Sequence, residues 1–262
     1  LGGPEARRRY ACSDDRRPED KAERNVLKAF PVVGKKKAQM ICKAFIDGAP
    51  KSAEGAVFYG VNESNYDNWL KVQRAGITWW YLDNSMFDSV RGQQYRIAKN
   101  RVQTKVPGNV SDGKRFAALG LHIAPMNVSP SDLWIAIEQS PSFMRYVAGD
   151  PTWLERAVSV VPNHHRMKVR RWSPDKPKQQ ETLPADLAEA WTLITHSSAA
   201  AVTATLMGVP VIVSPRSALT DMRVSTDPKH DQRRHYMEVL ADNCWAIAEI
   251  RAGKAWAWLN RA

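Results

Sequence analysis

Cysteine is scarce in this sequence. Cys12, Cys42 and Cys244 are the only three among 262 residues. They are too few and too widely spaced for a disulfide framework or for paired metal ligands, and three reduced thiols in a cytoplasmic protein are expected. Long apolar runs are also lacking. The longest, Ala199 to Val213, is broken by Thr203, Thr205, Gly208 and Pro210, whereas a membrane span needs about 20 apolar residues. No apolar core follows Arg7, Arg8 and Arg9, so no secretory signal is expected. Zinc spacing is missing from His122, His164, His165, His196, His230 and His235, and Asp14 and Asp15 are adjacent rather than spaced as in an Asp-x-Asp motif. No metal is expected. Acidic residues are in short supply: 27 Asp and Glu against 38 Lys and Arg leave a net charge of +11. That excess favours polyanionic partners such as nucleic acid, anionic membrane or phosphorylated ligands.

What is present describes an ordinary globular chain. A hydrophobic fraction of 44% and a charged fraction of 25% exclude a disordered or collagen-like polymer. At about 150 residues per domain the length predicts two domains. The loop-forming stretch Val106 to Gly113 places the boundary, giving 1–110 and 111–262. In the first part, Arg9 to Cys12 reads as a short strand and Pro18 to Phe30 as a helix. Lys35 to Asp47 is a helix with Ala38, Ile41, Cys42, Phe45 and Ile46 on one face. Ala56 to Val61 is a buried strand, Ser64 to Ala75 a helix, and Ile77 to Leu82 a strand of strong β-formers.

In the second part, Phe116 to Ile123 reads as a strand, and Ser131 and Asp132 as caps of a helix through Gln139. A helix over Thr152–Val161, a strand over Arg166–Trp172, a surface loop over Trp172–Pro184 and a helix over Pro184–Ala190 follow. Then come a strand over Trp191–Thr195, a helix from Ser197-Ser198 to Met207, a strand over Val209–Val213 and a long terminal helix over Arg233–Ala252. Strands separated by helices of these lengths predict βαβ units and parallel sheets. The expected fold is α/β, with two Rossmann-like domains and a cleft between them.

The segment richest in chemistry is Thr195-His196-Ser197-Ser198-Ala199-Ala200-Ala201, followed by Gly208, Val209, Pro210 and Val211. A buried strand ends, and a helix starts at once with hydroxyls on its first turn and small residues behind them. Such a helix lies close to the sheet and turns its free N–H groups toward the crevice at the strand's carboxyl edge. Ser197 and Ser198, with His196, are therefore candidate phosphate donors. Lys168 and Arg170 point to one face of their strand and would bring two cations to the same site. Arg216 follows the next strand's carboxyl edge. Trp172 and Trp69, near the basic strand and Tyr66, are candidates to stack on bases, with core packing as the alternative role for each.

The unit Ile194 to Val211 resembles the nucleotide-sugar half of GT-B glycosyltransferases, and is similar to capsule-polysaccharide-type and phage-encoded members. Lys168 to Pro174 resembles the family's strand with a basic-Pro ending, and Leu187 to Trp191 its short helix before the His-Ser strand. The tail from Arg233 through Cys244-Trp245 to Trp256 is similar to a pattern in phage proteins of this kind. The resemblance covers Arg166 to Trp258 and implies a compact GT-B-like fold with a reduced N-terminal domain. It implies a metal-independent transferase with a UDP-sugar as co-substrate and no tightly bound cofactor. The family's acid just after the Ser-Ser pair has no counterpart here.

An acceptor hydroxyl needs a base, and a carboxylate at a strand's carboxyl end would face the cleft. Asp83 is the first candidate and Glu63 the second. Arg91 to Arg115 is a basic run. If helical, it aligns Arg91, Tyr95 and Lys99 in a stripe, with Arg101 and Lys105 adding charge, and forms a ridge suited to phosphates. The combined reading is a monomeric phage-type enzyme that glycosylates hydroxymethylated pyrimidines of double-stranded DNA. Two alternatives are a capsule or lipopolysaccharide-type transferase with a glycan acceptor, and a non-catalytic DNA-binding protein on the same fold.

Overall fold

The computed structural model describes residues 27–103, 111–126, 131–159, 161–173, 176–217 and 232–261, without the side chains of 176–181. The first unit begins with parallel strands β1 (Leu27–Pro31), β2 (Gly55–Tyr59) and β3 (Trp79–Asn84), connected by α1 (Lys36–Asp47) and α2 (Tyr66–Arg74). The α1 face Ala38, Ile41, Cys42 and Phe45 is buried against this sheet, and Ile46 is partly so. The other sheet face is aromatic: Phe58 and Tyr81 meet Trp69 of α2 at ring-centroid distances of 5.1 and 6.1 Å. Each large side chain buried this completely contributes about 1.5–3 kcal/mol.

Two expectations in this unit change, and one at the start of the second part. Leu27–Pro31 is a strand, not a helix end, because its backbone pairs residue by residue with β2. The stretch read as a basic helix is strand β4 (Gln94–Lys99), antiparallel to β3. Phe116 to Ile123 holds no strand: a short helix, α3 (Lys114–Ala118), opens at left-handed Gly113 and is followed by Gly120 at φ 64°.

The second unit is a fully parallel sheet of β5 (Leu133–Ile137), β6 (Arg166–Arg170), β7 (Thr192–Thr195) and β8 (Val211–Val213), in the order β6-β5-β7-β8. Between its strands lie α4 (Pro141–Phe143), a π-helical turn at Met144–Ala148, α5 (Trp153–Ser159), α6 (Lys176–Ala188) and α7 (Ala200–Leu206). Helix α6 occupies most of the stretch read as a loop and carries Pro184 inside it. The helix expected at Ser131–Gln139 is the central strand β5. The Ser131 hydroxyl accepts from the Leu133 N–H two residues on, a local turn, while Ser140 caps the next helix by accepting from Phe143 N–H. One face of β5 and β7 buries Ile135 and Leu193 among Leu187, Ala201 and Ala204. The other buries Trp134, Ala136 and Ile194 beside α5.

The tail breaks the expected terminal helix. Helix α8 (Arg233–Asp242) gives way at Asn243 to strand β9 (Cys244–Ala246), which joins the first sheet at the free edge of β4. Helices α9 (Ile247–Arg251) and α10 (Lys254–Leu259) then dock on α1. The chain thus crosses back: residues beyond 243, assigned by sequence to the second unit, complete the first sheet. Among the described residues no helix is long and apolar enough to cross a membrane.

Candidate active site

Parallel strands of both sheets point their carboxyl ends into one cleft with a cavity of about 470 Å³. Open α/β sheets bind ligands at that edge, where loops replace the ladder and backbone groups become available. From the first unit come Asn62 after β2, Asp83 and Asn84 at the end of β3, then Asp88 and Arg91. From the second come Glu138 and Gln139 after β5, Arg170 to Trp172 after β6, and Ser197 to Ala200 after β7.

The wall formed by the first unit is organised around Asp83. Its Oδ2 accepts from Arg96 Nη2 at 2.8 Å and from the Tyr81 hydroxyl at 3.3 Å, and its Oδ1 accepts from the Asn84 N–H at 2.8 Å. Arg96 also donates to Val102 O and to Gln103 Oε1. Burial, reinforced by the Asp83 charge, raises the Tyr81 phenol far above its ordinary value, so it stays a neutral donor. Asn84 Oδ1 accepts from Lys37 Nζ at 2.9 Å and from the Tyr59 hydroxyl at 3.2 Å. Burial lowers the Lys37 pKa, opposed by Asp83 and assisted by Arg91. Asp88 reaches across the cleft: its Oδ2 accepts from Thr203 Oγ1 of α7 at 2.8 Å, and its Oδ1 lies 3.5 Å from Arg91 Nη1.

On the wall formed by the second unit, Ser197 and Ser198 line the cavity. The Ser198 hydroxyl accepts from the Ala200 N–H at 3.2 Å. His196 turns away. It is buried edge-on to Phe143 and Trp153, with Nδ1 3.1 Å from Ser197 Oγ. Burial lowers its pKa, partly offset by Asp150. Lys168 and Arg170 do share a face, but both converge on Asp186 of α6, Lys168 at 2.7 Å. Burial works against the charged form of Asp186, yet the hydrogen bonds from the two cations outweigh it and hold its pKa below the ordinary value. Only Arg170 of the pair lines the cleft.

Other candidates lie elsewhere. Glu63 is exposed on a turn outside the cavity. Arg216 lines a second cavity, where Nη1 donates to Ala148 O at 2.6 Å. The basic ridge does not form, because the candidate side chains are taken up within the fold or separated from one another. Tyr95 is buried, with its hydroxyl on Gly92 O, and Lys99 holds Asn260 Oδ1. Arg101 is exposed beside the second cavity, and Lys105 lies outside the described residues. Sequence reasoning missed Asp186 and the role of Arg96. The helix carrying Asp186 was foreseen over Pro184–Ala190, but its approach to Lys168 and Arg170 and the β3–β4 pairing were not.

Two Rossmann-like units facing each other across a cleft at their strand ends, with the tail crossing back to the first, make this a GT-B-like fold. Among solved structures, the Thermosulfurimonas dismutans KpsC beta Kdo 2,4 transferase aligns with a TM-score of 0.51 at 12% identity, over 84% of this chain and 90% of that one. The KpsC beta Kdo 2,7 transferase of the same organism aligns with a TM-score of 0.46 at 10% identity, over 88% of this chain and 99% of that one. At these identities the likeness is one of fold. No protein-family model and no curated protein matches the sequence.

Proposed function

We propose that the protein is a glycosyltransferase of the capsule type, which moves a sugar from a nucleotide-activated donor to a hydroxyl of a glycan acceptor. The observation that carries this reading is the opposition, across one cavity, of Asp83 and Asp88 to the Ser197-Ser198 turn and Arg170. Asp83 takes the proton of the acceptor hydroxyl, the acceptor oxygen bonds the anomeric carbon, and the bond from that carbon to the donor phosphate breaks. Charge developing on the leaving phosphate is met by the hydroxyls of Ser197 and Ser198 and by Arg170. Trp172, 37% exposed at the rim, offers a face for the donor base. The solved neighbour is a Kdo transferase by its description, so nucleotide-activated Kdo is the first donor to test beside UDP-sugars. The modified-DNA acceptor loses its support, because Tyr95 is buried and Arg91 and Lys99 are engaged with Asp88 and Asn260.

The test is nucleotide release from each donor, with and without acidic and neutral oligosaccharide acceptors. Release accelerated by an acceptor, and lost in Asp83→Asn with donor binding retained, is the expected result. Donor binding without acceptor-stimulated release from any donor would sink the transferase reading and favour a non-catalytic role.

A further inference from the structure

A second cavity, of about 640 Å³, lies between α2 and the π-helical turn after β5. It adjoins the first cleft along two stretches of chain. Gln103 and Phe143 line the cleft, while their near neighbours Arg101, Val102, Arg145 and Tyr146 line this cavity. Its walls carry three guanidinium groups, Arg101, Arg145 and Arg216, and, among the described residues, no carboxylate. Among the described residues none of the three makes an ion pair within 4.0 Å. Asp150, the carboxylate that interacts electrostatically with Arg216, is already held by Arg156 at 2.5 Å. Between the cations stand two tyrosines, Tyr66 and Tyr146, with ring centroids 5.0 Å apart, and the Arg145 guanidinium sits 5.3 Å from the Tyr146 centroid. Gln73 adds an amide.

We propose that this cavity binds the acidic sugar residues of the acceptor, so that a carboxylated oligosaccharide runs from the cavity into the catalytic cleft. A guanidinium matches a carboxylate with two parallel N–H donors. Aromatic faces suit the C–H faces of a pyranose ring because the ring face is electron-rich. A phosphodiester would satisfy the arginines equally, but the tyrosines are tilted at 56° and half-buried against the sheet. They offer no parallel platform for successive bases. The inference rests on the glycan-acceptor reading and adds the acceptor's charge and its place.

The experiment uses the full chain and three probes: a short oligogalacturonide, its fully methyl-esterified form, and a single-stranded oligonucleotide of equal charge. Binding is followed calorimetrically for the unaltered chain, Arg145→Ala, Arg145→Lys and Arg101→Ala, all at exposed side chains where folding can be confirmed by circular dichroism. The expected result is binding of the acid but not the ester, weakened about tenfold by Arg145→Ala and partly restored by Arg145→Lys. Nucleotide release from the donor in the absence of acceptor should be unchanged in these variants. Equal binding of the ester, indifference to both alanine variants, or tighter binding of the oligonucleotide would each overturn the proposal. Arginine-dependent acid binding with no donor turnover would uphold this site while refuting the transferase reading, so the two failures are distinguishable.

Discussion

Asp83 and Arg96 sit directly opposite each other in the antiparallel register of β3 and β4, and their side chains close a 2.8 Å ion pair at the mouth of the cleft. Arg96 is nearly buried, with 10% of its side chain exposed against 32% for Asp83. The cation is thus the anchored partner and the carboxylate the accessible one. If Asp83 is the base proposed above, Arg96 is a positioning residue for it. Asp83→Asn should lower kcat by about 10²–10⁴-fold. Arg96→Ala should lower kcat by a smaller factor with little change in KM for the donor, and Arg96→Lys should recover part of the loss. A kcat unaffected by Arg96→Ala would mean that Asp83 needs no such support.

The return of the tail to the first sheet depends on two glycines. A Cβ on Gly48 would lie 2.2 Å from Ile250 O, and one on Gly253 would lie 2.6 Å from Gly48 O. The end of α1 and the α9–α10 turn meet backbone to backbone. Gly48→Ala must push these apart and should cost about 1–3 kcal/mol, read as a lower denaturant midpoint. Gly34→Ala is the control for backbone conformation: it has φ 78° and nothing within 4 Å of its added Cβ, so it should show only the strain of its dihedral. Equal stability of Gly48→Ala and the unaltered chain would contradict this packing.

Tail docking also explains where sequence reading succeeded and failed. Strands β2, β3, β7 and β8 were legible because each is an apolar run closed by a turn residue, with helices of clear periodicity between them. That alternation alone placed Asp83, Arg170, Ser197 and Ser198 at strand ends. Strand β5 was not legible. Leu133 to Ile137 is buried on both faces, so it has no alternation, and a short apolar run behind Ser-Asp imitates a capped helix. In β4 the spacing Arg91, Tyr95, Lys99 fits a helix stripe, but steps of four also fall on one face of a strand. Trp245 leaves the helical pattern because β4 has an open edge to fill, a demand made by residues about 150 positions away.

Arg115, counted by sequence as one charge in a basic run, ties α3 to the tail. It donates to Cys244 O at 2.9 Å and to both Glu249 oxygens, and its guanidinium lies 3.8 Å from the Trp245 centroid. Burial works against the charged form of Glu249, but Arg115 and the Ala246 N–H outweigh it and lower its pKa from 4.5. A depressed carboxyl pKa contributes stability above the unfolded value and loses it as pH falls through the folded value. Arg115→Ala should therefore destabilise the chain by about 1–3 kcal/mol at neutral pH, and by less once Glu249 is protonated in both states. Measuring urea midpoints of both chains from neutral pH downward checks this. A difference that grows on acidification would refute the pairing as its cause.

His196 links the Ser197-Ser198 turn to pH without lining the cleft itself. Burial lowers its pKa from 6.5, with Asp150 opposing and Arg216 assisting, and no described carboxylate is bonded to its ring. The unfolded chain then binds a proton that the folded chain refuses. Stability is complete above the unfolded pKa and declines as pH falls from 6.5 through the folded value. The π-helical turn and α5 meet this ring through Phe143 and Trp153, so charging it opposes the packing that holds the Ser197-Ser198 turn in place. His196→Phe keeps the aromatic contacts and removes the titration. It should flatten the stability difference between about pH 7 and about pH 5.5, while the lost hydrogen bond to Ser197 Oγ should lower donor turnover at neutral pH by no more than about tenfold. A large loss of turnover at neutral pH with stability intact would instead give His196 a direct part in the chemistry.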